Sequence, residues 1–181
     1  MKRAKAQRIL KVLFSADINH DSLERFYHEV VPRLKESGRL ELHINSKGGE
    51  VAMALGLACF LKSLGDKMTT YNEGHCDSAA IVIFASGSER VAIRGCQFAM
   101  HEVGVEMSGL QTLSSLSQLK DLLRNDTERI TQFLERQTGR AASRWERDMR
   151  NNRQLSSTVA FRSGLATQIK NEEVNTYCIT I

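Results

Sequence analysis

The sequence is short of several things. It has one proline in 181 residues, beside 12 glycines, which argues against a disordered or linker-rich chain. Its four cysteines, Cys59, Cys76, Cys96 and Cys178, include no C-x-x-C pair. That removes a thioredoxin-type redox motif and paired-cysteine zinc sites, and a chain of this size needs no disulfide framework. Scattered, reduced thiols point to the cytoplasm. Charge is nearly balanced, at +4 net, with no aromatic-basic repeat, so nucleic acid is not an expected partner. No apolar run approaches membrane-spanning length, and no membrane partner is expected. The basic stretch from Met1 to Gln7 is followed by an apolar run, Ile9 to Phe14, too short for a secretion signal, so export is not expected.

What is present suits one α/β domain over residues 1–181. Hydrophobic residues make up 41% and charged residues 25%, an ordinary globular mixture. Ile9 to Phe14 reads as a strand. A helix capped by Asp21 or Ser22 follows, with Leu23, Phe26, Val30 and Leu34 on one face. Leu40 to Ile44 is a second strand, and Glu50 to Leu64 an apolar helix. The unit repeats as a strand at Met68 to Tyr71, a turn at Gly74 to Asp77 and a helix from Ser78 to Ser86. Short strands are expected at Arg90 to Ile93 and Gln97 to His101. Glu102 to Ser108 reads as flexible. A long amphipathic helix runs from Leu110 to Gln137, a second from Ala141 to Arg150 and a third from Ser156 to Gly164. The tail from Glu173 reads as strand. Strands alternating with helices at short spacing predict an α/β fold.

Three local patterns can carry chemistry. Asn45-Ser46-Lys47-Gly48-Gly49 lies between a strand and a helix. Two glycines there can turn backbone N–H groups toward an anion, or simply make a turn. Gly74-His75-Cys76-Asp77-Ser78-Ala79-Ala80 places a serine at the start of an apolar helix. The ordinary explanation is an N-cap. A nucleophile uses the same place differently: its hydroxyl projects into a cleft and the next N–H helps to hold an oxyanion. His101 ends a short strand before a polar segment, where an imidazole can be aimed at a nucleophile. His75 is too close along the chain to Ser78 to serve it well.

In order and spacing these patterns resemble the Clp protease proteolytic subunit family, from about Ile9 to Ile169. The family's I-N-S-P-G-G appears as Ile44-Asn45-Ser46-Lys47-Gly48-Gly49. Its glycine, three residues and nucleophilic serine appear as Gly74 and Ser78, and its M-I-H as Ala99-Met100-His101. A long handle helix leads to Thr138-Gly139, then Glu146-Arg147-Asp148 and Gly164-Leu165. The resemblance implies the ClpP/crotonase-like fold: repeated strand–turn–helix units with a protruding handle helix. It implies Ser78 as nucleophile, His101 as base, and Gly49 and Ala79 N–H groups as the oxyanion hole, with no cofactor or metal. The substrate would be a peptide or unfolded protein. The assembly would be a homo-oligomeric heptameric ring, single or stacked in pairs.

Three departures modify these expectations. The family's triad aspartate falls on Asn152 here. An amide can orient an imidazole but cannot stabilise its charged form, and losing that carboxylate lowers turnover about 10⁴-fold in a serine protease built around it. Asn152 could equally be a loop residue with ordinary hydrogen bonds. After His101 stands Glu102-Val103 in place of Gln-Pro and a glycine-rich strand. Only eight residues precede Ile9, where the family has the parts that meet an AAA+ unfoldase, so that partner is left open. Arg150-Asn151 replaces the Glu-Arg pair that links two rings, which implies single or weakly paired rings. Arginines 140, 144, 147, 150 and 153 are read as one basic helix face, solvated or between subunits. A degenerate subunit with a structural or regulatory role is the alternative. A crotonase-type acyl-CoA enzyme needs no such Ser/His pair, and a Ser-Lys signal-peptidase relative would not place His101 where it is.

Overall fold

The computed structural model describes residues 8–171 and 175–181. Strand β1 (Ile9–Phe14) alternates as expected, burying Leu10, Val12 and Phe14. Helix α1 (His20–Leu34) packs Leu23, Phe26 and Val30 inward. Its cap is Asn19 rather than Asp21 or Ser22. Asn19 accepts from the Ser22 N–H while the Ser22 hydroxyl accepts from the Asn19 N–H, a reciprocal capping box. β2 (Arg39–Ser46) lies parallel to β1, Leu42 opposite Val12. α2 (Val51–Lys62) follows the double-glycine turn.

β3 (Met68–Cys76) is much longer than its sequence suggests. Gly74, His75 and Cys76, expected in a turn, are strand because both sides offer partners: Ser46 of β2 faces Cys76 beyond a bulge, and Gln97 faces His75. The strand is therefore forked. Thr69 to Asn72 pair with β4 (Glu89–Ile93), whereas His75 pairs with β5 (Gln97–Ala99). Between them α3 (Ala80–Ala85) is buried at every residue. Among the described residues the main path of the sheet runs from β6 (Gln154–Ser156) through β5, β3, β2 and β1 to β8 (Ile179–Thr180), and only β5–β6 is antiparallel. β6 (Gln154–Ser156) and β7 (Gln168–Lys170), absent from the sequence reading, are three-residue edge strands.

α4 (Leu113–Thr138) is capped by Thr112 and ends at Gly139, whose φ of 71° suits glycine. Its second half packs Ile130, Phe133 and Leu134 into the core. Its first half stands away from the body: Leu113 is 89% exposed and Leu122 53%. α5 (Ala142–Arg150) buries Trp145 and Met149, and α6 (Ser157–Arg162) is capped by Ser156. The five arginines do not form one basic face. Arg140 lies over the Trp145 ring and reaches the buried Asp148 at 2.7 Å. Arg153 holds the other carboxylate oxygen at 2.8 Å, and Arg150 pairs with Glu146. Two of the five therefore pair with a buried acid, Arg140 from a largely buried position and Arg153 from an exposed one.

The second face of the sheet carries a polar cluster under the tail. His43 is 1% exposed; its Nδ1 lies 2.7 Å from Glu73 Oε1, and its ring stacks on Tyr71. Asn175 and the Tyr177 hydroxyl donate to the same carboxylate. Burial lowers the His43 pKa, against the attraction of Glu73 and Glu41. The strand expected from Glu173 begins partly outside the described residues; β8 occupies Ile179–Thr180 and pairs with β1. Among the described residues no helix is long and apolar enough to cross a membrane.

Candidate active site

The turn after β2 is shaped by close approach. Gly48 has φ 102° and Gly49 φ 143°. A Cβ on Gly48 would stand 2.8 Å from both Ser78 Cβ and Asp77 O, and one on Gly49 would stand 2.2 Å from Ile18 O. Both positions therefore need glycine, one so that the serine turn can press against it. Ile18 N–H donates to Gly48 O and Glu50 N–H to Ile18 O. That pairing leaves the N–H of the exposed Gly49 without an acceptor among the described residues.

Ser78 sits in the left-handed region at φ 53°. Such a conformation in a residue that is not glycine costs about 1–3 kcal/mol and clusters at functional sites. It is held in place from three sides. Asp77 N–H donates to Ser46 O at 3.0 Å, Ser78 N–H to Ala99 O at 2.8 Å, and Ile81 N–H to Ser78 O at 3.1 Å. Ser78 is not a cap: no side chain caps α3, and the Ser78 hydroxyl has no hydrogen-bond partner among the described residues. The Ala79 N–H likewise has no described acceptor. The Gly48–Gly49 turn touches this one directly: a Cβ on Gly48 would lie 3.1 Å from the Ala79 nitrogen.

His101 lies two residues beyond β5. The antiparallel register places Phe98 opposite Leu155 and Ala99 opposite Gln154, and Met100 N–H donates to Arg153 O at 2.9 Å. Asn152 itself lies in the turn before β6, its N–H donating to Met149 O at 3.0 Å. Ser78, His101 and Asn152 therefore lie in or beside segments that are linked through the backbone of Ala99 and Met100. Their side chains are not hydrogen-bonded to one another. The exposed His101 ring has Nδ1 2.8 Å from Glu102 O. A carbonyl can only accept, so Nδ1 carries the proton and Nε2 the lone pair, the tautomer that a base needs. Asn152 is exposed, with φ 47°, a conformation that asparagine tolerates better than most residues. His75 is 3.5 Å from Asp77, not paired with Ser78.

The sequence reading missed Asp77. Its Oδ1 accepts the Ala99 N–H at 2.8 Å while Ser78 donates to the Ala99 carbonyl. Both polar groups of one β5 residue are thereby tied to the Ser78 turn. The side chain replaces the ladder bonds that β3 and β5 lack beyond their single paired position. An acid just before a buried apolar helix was the only signal, and it also fits a plain cap. Among the described residues no group of three or more His, Cys, Asp or Glu side chains is arranged to hold a metal ion.

The sequence profile of the family described as Clp protease matches residues 3–173. The chain belongs to the Clp protease family. It is 30% identical over 130 residues to the ATP-dependent Clp protease proteolytic subunit 4 of Rhodococcus jostii (strain RHA1), covering 69% of this chain and 64% of that protein. It is 27% identical over 132 residues to the ATP-dependent Clp protease proteolytic subunit of Chlorella vulgaris, covering 72% and 65%. The chain thus spans just under two thirds of the length of these relatives. In three dimensions it superposes on a ClpP1 from Listeria monocytogenes that carries one asparagine-to-aspartate substitution. The TM-score is 0.79 at 19% identity, over 90% of this chain and 91% of that one. The α/β architecture with its long helix is the ClpP fold.

Proposed function

We propose that this chain is a Clp-type serine peptidase subunit, acting as one unit over residues 1–181. The observation that carries the reading is Ser78, held at φ 53° with a free hydroxyl beside the unpaired N–H groups of Gly49 and Ala79. Ser78 Oγ attacks the peptide carbonyl carbon, and its proton passes to His101 Nε2. The carbonyl π electrons move to oxygen, where the Gly49 and Ala79 N–H groups stabilise them. The C–N bond then breaks as His101 returns the proton to the leaving amine. Water repeats the cycle and frees the acid. For this the exposed imidazole turns from Glu102 O toward Ser78, and Asn152 takes its Nδ1–H. Such bonds commonly tighten only with substrate bound.

The second reading is a subunit of the same fold without peptidase activity. It is favoured by the absence of any described hydrogen bond joining Ser78, His101 and Asn152. A serine-reactive fluorophosphonate probe separates the two. Labelling of wild type and none of Ser78→Ala supports the peptidase; an unlabelled wild type supports the inactive subunit. Undiminished labelling of Ser78→Ala sinks the nucleophile assignment.

The exposed leucines of the first half of α4 call for cover by other copies. The assembly proposed is a heptameric ring, single or weakly paired, working on peptides or unfolded proteins in the cytoplasm. The names of the relatives call those proteins ATP-dependent; an AAA+ unfoldase is left open as a partner of this chain. Light scattering showing a monomer at micromolar concentration would refute the ring, and a salt-resistant double ring would refute the weak pairing.

A further inference from the structure

A groove of about 960 Å³ opens on the Gly48–Gly49 turn. One wall is Lys47 to Ala52; the other is Val103 to Glu106. Val51, Val103, Val105, Leu122 and Leu123 give it an apolar lining. The N–H groups of residues 103–106 donate to no described acceptor, which leaves backbone donors on this wall for a peptide's carbonyls.

The charges at this groove run against those of the molecule. The chain carries +4 overall. Yet Asp17, Glu50 and Glu106 line the groove, and none of them enters an ion pair among the described residues. Among the described residues Lys47 is the one cation in the lining. The fourth carboxylate, Asp126, is already held by Arg129 at 3.0 Å. Glu102, just beyond the groove and next to His101, has no described cation either. Carboxylates of one sign around an apolar cleft focus potential into it and raise the local concentration of cations.

From the peptidase reading above, and resting on it, we propose that the substrates are cationic: extended peptides with an apolar residue in the groove and lysine or arginine flanking it. Anionic peptides are disfavoured by the same carboxylates. The selection resides in Asp17, Glu50 and Glu106, none of which the chemistry itself uses.

The test uses two labelled hexapeptides with one apolar centre, flanked by lysines in one and glutamates in the other. Binding to full-length Ser78→Ala is read by fluorescence anisotropy. The ratio of hydrolysis rates on wild type gives a second measure that does not depend on that variant. The lysine peptide should bind about tenfold tighter at low salt, with the gap closing as salt screens exposed charges. In Glu50→Gln/Glu106→Gln the preference should fall to about twofold or less. Equal affinities, preference for the glutamate peptide, or no binding of either because other copies of the chain fill the groove would each overturn the proposal. Fluorophosphonate labelling of Ser78 keeps the two ideas apart. Labelling without charge preference removes this inference and leaves the peptidase; preference without labelling removes the peptidase, and with it the claim that the bound cationic peptides are substrates.

Discussion

In the peptidase reading, replacing Asn152 with aspartate places a carboxylate beside His101, one residue before the Arg153 carbonyl that accepts from Met100 N–H. The backbone tolerates the change, because φ 47° suits aspartate as it suits asparagine. No described hydrogen bond of the Asn152 side chain is lost. Attack by Ser78 makes an imidazolium at His101, and a facing carboxylate attracts it. Two unit charges about 4 Å apart attract by about 4 kcal/mol at an effective dielectric of about 20, and by about 1 kcal/mol in water. Both residues are exposed, so the gain should lie toward the lower figure, about 1–3 kcal/mol. In rate that is about 5- to 160-fold in kcat. The assay is steady-state hydrolysis of a short fluorogenic peptide by wild type, Asn152→Asp and Asn152→Ala, with melting temperatures checked. An aspartate variant no faster than wild type, or an alanine variant with undiminished kcat, would remove Asn152 from the machinery and leave a Ser-His pair.

Asp77→Ala leaves the Ala99 N–H without its acceptor, a loss of about 1–3 kcal/mol for a buried group and less at this half-buried site. Asp77→Asn keeps an acceptor oxygen. The alanine variant should lose kcat with KM little changed and the asparagine variant should recover it; parallel losses in both would make Asp77 a charge effect, not a positioning residue. For His43, burial holds the folded pKa below its unfolded value near 6.5. The unfolded chain therefore binds more protons in mild acid, so stability is full above about pH 6.5 and is lost as pH falls through the folded pKa. Thermal melts from pH 7.5 to 5 should show that slope, flattened in His43→Gln; an equal slope in the variant would put the sensitivity elsewhere.

The sequence by itself determined the elements whose signal is local and periodic. Leu10, Val12 and Phe14 alternate, so β1 could be read to its ends. Leu23, Phe26 and Val30 recur at helical spacing in α1, and the long amphipathic run gave α4 within a few residues. The order of Gly48-Gly49, Ser78 and His101 was legible because each stands at the end of such an element. Tertiary structure decided what local propensity cannot weigh. Gly74 to Cys76 look like a turn but are strand, since two neighbouring strands offer hydrogen bonds that outweigh glycine's preference. β6 and β7 are three residues each, too short for any period, and exist because β5 and β4 have edges to pair. Arg140 follows a helical charge spacing, yet turns inward because Asp148 is buried and needs it, and the exposed Arg153 reaches the same carboxylate. His43 is buried between the ring of Tyr71 and the edge of Tyr177 in the tail, contacts distant in sequence. Asp77 became visible as a clamp only when Ala99, 22 residues away in the chain, was folded against it. In each case a contact distant in sequence satisfies a polar group that the local chain leaves open, and only the assembled fold can place that contact.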